Sequence, residues 1–301
     1  MKILATSDIH GNKALVHLIC RVCENDNIDA LIIAGDISPK GFYKLYDHGL
    51  SYGFYSPFGL RNRRVVLNGT LQQVKAKLDL LGYIEAPHSG YDLSVLRSKQ
   101  KEQLAQICAL LKTMDIPVYM LIGNDDHICD EDWDCIIEDY GFLNLNLRTY
   151  PLEEFKVTGF QYVPPTPWNT NNELSEEQLA QRLRWIEDRV DTNTILITHG
   201  PPRGILDTVT NGLHAGSQSI FDLVKAKQPV FHLFGHIHEA FGNAMIDNTI
   251  CCNTSCLWTD WLLRGYIIDT EKKAIKRIKE EVPLREISVL SCMNGDAGYV
   301  C

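Results

Sequence analysis

The fold is decided by the stretch KILATSDIH, residues 2–10. Its first half is a short apolar run from Lys2 to Thr6, and its second half supplies a carboxylate and an imidazole, Asp8 and His10. Short apolar runs that end at polar residues are typical of buried strands. We therefore expect a strand that leads directly into two side chains able to bind a metal ion.

Further apolar runs of the same kind follow along the chain. They are Leu31 to Ala34, Val118 to Ile122, Thr194 to Thr198 and Val230 to Phe234. Stretches with helical periodicity lie between them, as from the capping box at Ser175 to Val190. Because strands that alternate with helices pair in parallel, the sequence predicts an α/β fold. We expect a layered sandwich with largely parallel central strands flanked by helices.

The length and composition allow one large domain. The chain has 301 residues, of which 45% are hydrophobic and 22% charged, and it can bury a large core. The segment from about 38 to 93 is rich in Gly, Tyr and Phe and lacks strand-to-helix alternation. We interpret residues 1–301 as a single domain in which 38–93 is an inserted subdomain or lid, with a plain surface excursion as the alternative. Strands are also predicted within Thr249 to Ile278, and the charge cluster from Glu271 to Lys279 is interpreted as an exposed face.

The net charge and the N-terminal sequence limit the partners. A formal charge of -9 repels polyanions at long range, so an extended nucleic-acid partner is disfavoured. The first carboxylate, Asp8, precedes any apolar segment long enough for a signal peptide, and no later run approaches a membrane span. A cytoplasmic location without a membrane partner is therefore the expectation. The sequence carries no signal for an oligomeric state.

Every predicted strand runs into residues that can bind metal. These residues are Asp8-Ile9-His10, Gly35-Asp36, Gly123-Asn124, His199-Gly200 and Gly235-His236-Ile237-His238. Because the carboxyl ends of the strands line one crevice in open α/β sheets, side chains far apart in sequence are expected to converge there. One Asp or His after a strand is usually a turn or structural residue, but this recurrence at successive strand ends indicates a shared site.

The converging side chains predict two metal ions. The candidate ligands are Asp8, His10, Asp36, Asn124, His199, His236 and His238. Their mixed nitrogen and oxygen atoms suit Mn, Fe, Zn, Co or Ni better than Ca or Mg, and Mn is favoured. So many ligands exceed the needs of one ion. Two divalent ions held about 3.5–4 Å apart activate a bridging hydroxide and attract phosphate, which predicts hydrolysis of phosphoric esters in small phosphorylated substrates.

The strand-end residues resemble the calcineurin-like metallophosphoesterase family, whose motifs run D-x-H, G-D, G-N-H-D/E, an isolated His and G-H-x-H. The segments 198–202, 204–207 and 234–239 are similar to the branch of metallophosphoesterase-domain phosphodiesterases. The resemblance implies a phosphodiesterase with a bridging Asp36. Its implied ligand sets are Asp8, His10, Asp36 and His238 for one ion and Asp36, Asn124, His199 and His236 for the other. A nuclease of the same family, or a scaffold that retains the metal site, remains the alternative.

The sequence departs from the family pattern after Asn124. The family usually has a His there, which is expected to protonate the leaving group, whereas this chain has Asp125. A carboxylate with an ordinary pKa near 3.9 is a poor acid at neutral pH. The candidate catalytic residues are therefore Asp125 itself or His127, with a surface position as the alternative for His127. We also consider His214, which precedes a predicted helix, as a substrate contact.

Overall fold

A computed structural model describes residues 1–40, 42–47, 51–55, 65–68, 70–85 and 92–283. The strands in these ranges are β1 (Lys2–Thr6), β2 (Ala30–Ala34), β3 (Phe42–Asp47), β4 (Ser51–Tyr55), β5 (Val65–Asn68), β6 (Ile84–Glu85), β7 (Val118–Leu121), β8 (Leu143–Asn144), β9 (Thr149–Leu152), β10 (Phe155–Phe160), β11 (Thr194–Thr198), β12 (Phe231–Phe234), β13 (Gly242–Ile246), β14 (Thr249–Asn253), β15 (Leu262–Asp269) and β16 (Ala274–Glu281).

The helices of the described ranges separate these strands. The α-helices are α1 (Lys13–Asn25), α2 (Leu71–Leu80), α3 (Leu93–Leu111), α4 (Asp130–Asp139), α5 (Glu176–Glu187) and α6 (Gln218–Lys227). Short 3-10 helices lie at Lys112–Met114, His238–Ala240 and Trp258–Asp260. Within the described ranges, no helix combines the length and the apolar composition needed to cross a membrane.

The predicted strands are present, and they are divided between two sheets. The first sheet has the order β16-β15-β1-β2-β7-β8, in which β1, β2, β7 and β8 pair in parallel. The second has the order β13-β14-β12-β11-β10-β9, in which β10, β11, β12 and β14 pair in parallel. Antiparallel strands form one edge of the first sheet and both edges of the second. The predicted parallel pairing is therefore confirmed within each sheet.

The two sheets pack face to face, and helices cover their outer faces. Alternate residues of β1 show this arrangement, because Ile3 and Ala5 belong to the cluster between the sheets whereas Leu4 belongs to the outer cluster. The hydrophobic cluster on the outer face of the first sheet, its outer cluster, contains residues of α1, α3 and α4. The outer cluster of the second sheet contains residues of α5 and α6. Strands buried on both faces explain the continuous apolar runs in the sequence. The predicted layered α/β sandwich is confirmed.

Further elements lie within the segment from about 38 to 93. Strands β3 to β6 form a third sheet in the order β5-β4-β3-β6. Helix α2 begins at a capping box of Thr70 and Gln73, and it buries Val74 and Leu78 in the outer cluster of the first sheet. Residues 41, 48–50, 56–64, 69 and 86–91 of this segment lie outside the described residues. The inserted subdomain or lid, like the single domain, stays a prediction.

Two local predictions agree with the structure. The capping box at Ser175 is formed, since its hydroxyl accepts a hydrogen bond from the Gln178 backbone and Gln178 returns one to the Ser175 backbone. The charge cluster from Glu271 to Lys279 is exposed along most of its length, where β16 forms an edge of the first sheet. Charged side chains on an edge strand oppose pairing with another chain.

Candidate metal centre

The loops after the parallel strands turn sharply at the candidate ligands. Asp8, His10, Asp36 and His236 have positive φ angles of 58°, 47°, 52° and 72°. This left-handed conformation costs a residue other than glycine about 1–2 kcal/mol. Its recurrence where side chains meet in one crevice is typical of functional sites, at which the surrounding fold maintains the strain.

A first group of possible ligands forms between the ends of β1 and β12. It consists of Asp8, His10 and His238, whose ligand atoms all lie within 4.8 Å of one another. His238 Nε2 is 3.1 Å from Asp8 Oδ1 and 3.4 Å from His10 Nε2. Two imidazole nitrogens that face each other at this distance need a proton or a cation between them. The arrangement therefore fits a metal ion.

A second group lies beside the first, at the ends of β2, β7, β11 and β12. Asp36, His199 and His236 offer ligand atoms within 4.8 Å of one another. Asn124 joins them, since its Oδ1 is 3.0 Å from His199 Nε2. His199 Nδ1 lies 2.8 Å from the carbonyl oxygen of Ala34 and can donate its proton there. That hydrogen bond fixes the ring so that Nε2 faces Asn124 and Asp36 as the candidate ligand atom, as in many metal-binding histidines.

Asp36 faces both groups. Its Oδ2 lies 3.4 Å from His199 Nε2 and 3.8 Å from His10 Nε2. Its Oδ1 accepts a hydrogen bond of 2.8 Å from the backbone N–H of Asp125. The carboxylate is therefore fixed between imidazoles of the two groups, at the position that the resemblance implies for a bridging ligand.

The buried charges of the site influence one another strongly. Burial, together with the neighbouring Asp125, raises the pKa of Asp36 to about 6, although His199 opposes the shift. Burial by itself lowers the pKa of His199, but the carboxylate of Asp36 outweighs this effect and raises it to about 10. Burial lowers the pKa of His236 to about 3, and the charge of His199 adds to that effect. The carboxylates thus stabilise a positive charge on His199 beside a neutral His236, which is a suitable environment for cations.

Two glycines allow the carboxylates to approach the backbone closely. A Cβ atom at Gly123 would lie 2.1 Å from Asp36 Oδ1, and one at Gly235 would lie 2.3 Å from Asp8 Oδ2. Neither carboxylate could keep its position beside a larger residue. The glycines that precede Asn124 and His236 in the sequence are therefore required by the packing of the site.

Asp126 connects two of the strand-end loops. Its side chain is fully buried and accepts hydrogen bonds from the backbone N–H groups of Gly123, Ile37 and Ser38. Arg264 similarly fixes the loop after β12, because its guanidinium donates to the carbonyl oxygens of His238 and Ser255. Sequence reasoning missed both residues. The available signals were the paired carboxylates after Asn124 and an arginine within an apolar strand.

The candidate catalytic residues occupy different surroundings. Asp125 forms a third group of possible ligands with His10 and Asp36, within 4.8 Å. Its Oδ2 lies 2.6 Å from the ammonium of Lys40. Burial by itself raises the pKa of Asp125, but Lys40 outweighs this effect and lowers it to about 2, so the carboxylate is ionised. Sequence reasoning missed Lys40. The available signal was the position of a basic residue in the loop that follows Asp36.

The two other candidate histidines, His127 and His214, lie outside the three groups of possible ligands formed by the described residues. The backbone N–H of His127 donates to Gln100 Oε1, and burial lowers the pKa of the His127 imidazole. His214 is 2.7 Å from the buried carboxylate of Asp207, and about half of its side chain is exposed, at 49%. The role of His127 in proton transfer and the role of His214 in substrate binding both stay predictions.

The grouping of possible metal ligands agrees with the family that the sequence matches. The family model of the calcineurin-like phosphoesterases matches residues 1–240, and the chain belongs to this family of metal-dependent phosphoesterases. Over 174 residues it is 28% identical to an uncharacterized protein of Methanocaldococcus jannaschii, covering 56% of this chain and 72% of that protein. Over 103 residues it is 38% identical to human metallophosphoesterase domain-containing protein 1, covering 32% of this chain and 30% of that protein. The match thus spans less than a third of the human relative.

A solved structure shares the fold. The protein TT1561 of Thermus thermophilus superimposes with a TM-score of 0.56 at 12% sequence identity. The match covers 94% of this chain and 99% of that protein. At this level of identity the likeness concerns the fold alone.

Proposed function

We propose that this chain hydrolyses phosphodiesters in small phosphorylated substrates with the aid of two divalent metal ions. The observation that carries the proposal is the position of Asp36, whose Oδ2 faces an imidazole of each ligand group. A single carboxylate between two sets of ligands suits a pair of ions better than one ion. The mixed nitrogen and oxygen atoms of the side chains favour Mn among the divalent metals.

Each side chain has a role in holding the pair. Asp8, His10 and His238 would hold one ion with Asp36, and Asn124, His199 and His236 would hold the other with the same Asp36. When bound, the ions supply an activated water and positive charge for the phosphoryl oxygens. The protein fixes the ligands beforehand through hydrogen bonds, such as that of His199 Nδ1 to the Ala34 carbonyl oxygen. Prior fixation lowers the cost of ordering the site when substrate binds.

The proposed substrate class, small phosphodiesters, is based on the net charge of the chain and on its resemblance to known phosphodiesterases. The net charge of -9 opposes long polyanions and favours small anions that reach the local positive charge of the ions. The preference for diesters rests on the resemblance of the segments 198–202, 204–207 and 234–239 to metallophosphoesterase-domain phosphodiesterases. A cytoplasmic location is part of the same proposal.

The test compares diester and monoester hydrolysis by protein stripped of metal and then reloaded with Mn²⁺. We expect two ions per chain and a larger kcat/KM for bis(p-nitrophenyl) phosphate than for p-nitrophenyl phosphate. Asp36→Asn should abolish the activity, whereas Asp79→Asn removes a carboxylate that pairs with Lys13 and should preserve it. Faster monoester hydrolysis would overturn the diester preference, and no hydrolysis of either ester with two ions bound would overturn the activity itself.

A further inference from the structure

Lys40 brings a positive charge to the edge of the candidate metal centre. It lies in the loop after β2, and its ammonium is 2.6 Å from Asp125 Oδ2. The Asp125 carboxylate is in turn within 4.8 Å of ligand atoms of His10 and Asp36. One carboxylate therefore separates the ammonium from the candidate metal ligands.

The Lys40 side chain is partly exposed, and its ammonium has more donors than one contact uses. The Lys40 side chain is 26% exposed, whereas that of Asp125 is 7% exposed. An ammonium carries three N–H donors, and Asp125 is the acceptor that Lys40 contacts among the described residues. The contact with Asp125 uses one of these donors, and an anionic ligand could accept from another.

Lys13 is buried and forms a structural ion pair that differs from the pair of Lys40 and Asp125. Lys13 lies 2.6 Å from Asp79 and also donates to Gln106 Oε1, while its own side chain is only 3% exposed. None of these residues belongs to the three groups of possible metal ligands in the described part of the chain. Lys13 thus joins helices α1, α2 and α3, whereas Lys40 faces the centre.

We infer that Lys40 binds a phosphoryl oxygen of the substrate and that Asp125 positions the Lys40 ammonium for this contact. The inference rests on the proposed function, because it assigns a contact in the same site. A lysine binds phosphate as a point charge, and hydrogen bonds between ions are shorter and stronger than neutral ones. Lys40 keeps its proton throughout, and the contact involves no bond making or breaking.

The experiment measures binding of inorganic phosphate to the Mn²⁺-loaded protein by calorimetry, together with KM and kcat for a diester. Lys40→Met should weaken phosphate binding by about 10- to 100-fold and raise KM, because it removes an ionic hydrogen bond. Lys40→Arg retains the charge and should recover part of the affinity. Asp125→Asn should weaken binding less than Lys40→Met, since the ammonium remains but is no longer fixed.

Lys13→Met is the matched control. It breaks a lysine–aspartate pair of the same length and should lower the melting temperature, but it should leave phosphate affinity and KM unchanged. Unchanged phosphate affinity in Lys40→Met with its full metal content would overturn the inference. Loss of bound metal in Lys40→Met would also overturn the inference, because it would show that Lys40 is needed to retain the metal ions.

The two proposals fail in different ways. Protein that binds phosphate through Lys40 but hydrolyses no ester would contradict the proposed function and support the contact. Protein that hydrolyses diesters equally well with Lys40→Met would support the function and contradict the contact.

Discussion

The hydroxyl of Thr170 determines which atom of the Asn124 carboxamide faces the candidate metal centre. Both the backbone N–H and the hydroxyl of Thr170 donate to Glu173 Oε1. Burial opposes ionisation of Glu173, but hydrogen bonds from Thr166 and Thr170 outweigh this effect and lower its pKa, so it acts only as an acceptor. The Thr170 oxygen must then accept the bond of 2.7 Å from Asn124 Nδ2. Asn124 Oδ1, the candidate metal-binding atom, is thereby directed toward His199.

The perturbation that tests this chain of hydrogen bonds is Thr170→Val. Valine preserves the shape of the side chain but leaves Asn124 Nδ2 without its acceptor, which costs about 1–3 kcal/mol for a buried group. Loss of a hydrogen bond behind a metal ligand typically weakens metal binding by about 10- to 100-fold. Because Asn124 belongs to the group around His199, we expect this loss for one of the two ions.

The assay is calorimetric titration of metal-free protein with Mn²⁺, with the number of bound ions confirmed by elemental analysis. Thr170→Ser retains the hydroxyl and should bind both ions almost as the unmodified protein does. Thr149→Val removes a hydroxyl that pairs with Thr158 in the second sheet, and it controls for the general effect of the substitution. If Thr170→Val bound both ions with unchanged affinity while Asn124→Ala lost one, the hydrogen bond would not orient the ligand.

Three further predictions concern the metals and the leaving group. Crystals soaked in Mn²⁺ should give two anomalous peaks about 3.5–4 Å apart, and a single peak at saturating metal would contradict the dinuclear centre. Asp36→Asn should nearly abolish kcat, whereas Asp125→Asn should reduce it far less; equal losses with metal retained would contradict the division of roles. Because Asp125 is ionised, log kcat should fall steeply from aryl to alkyl diesters as leaving-group pKa rises, and Asp125→His should flatten the slope. A shallow slope in the unmodified protein would reveal another proton donor, which His127→Ala would test.

Much of the layered fold and the list of candidate ligands could be predicted because both depend on local patterns. A strand buried on both faces, such as β2 (Ala30–Ala34), is recognisable as an apolar run. The distribution of strands between two sheets could not be predicted in this way. Strands β2 and β11 are both rich in aliphatic residues and buried throughout, although they belong to different sheets. Which of them pair is decided by contacts between residues distant in sequence.

The neighbours of the candidate ligands were harder to predict for the same physical reason. Thr170 lies 46 residues from Asn124 in the sequence, and its contact depends on the path of the loop before α5. Lys40 and Asp125 follow different strands, β2 and β7, which are adjacent because they pair in parallel. A hydrophobic pattern predicts that a strand ends near a metal-binding residue, but it does not specify the loop beyond. Lys40 and Thr170, which we propose to contact substrate and to orient a ligand, belong to such loops, and their neighbours are known only once the strands are paired.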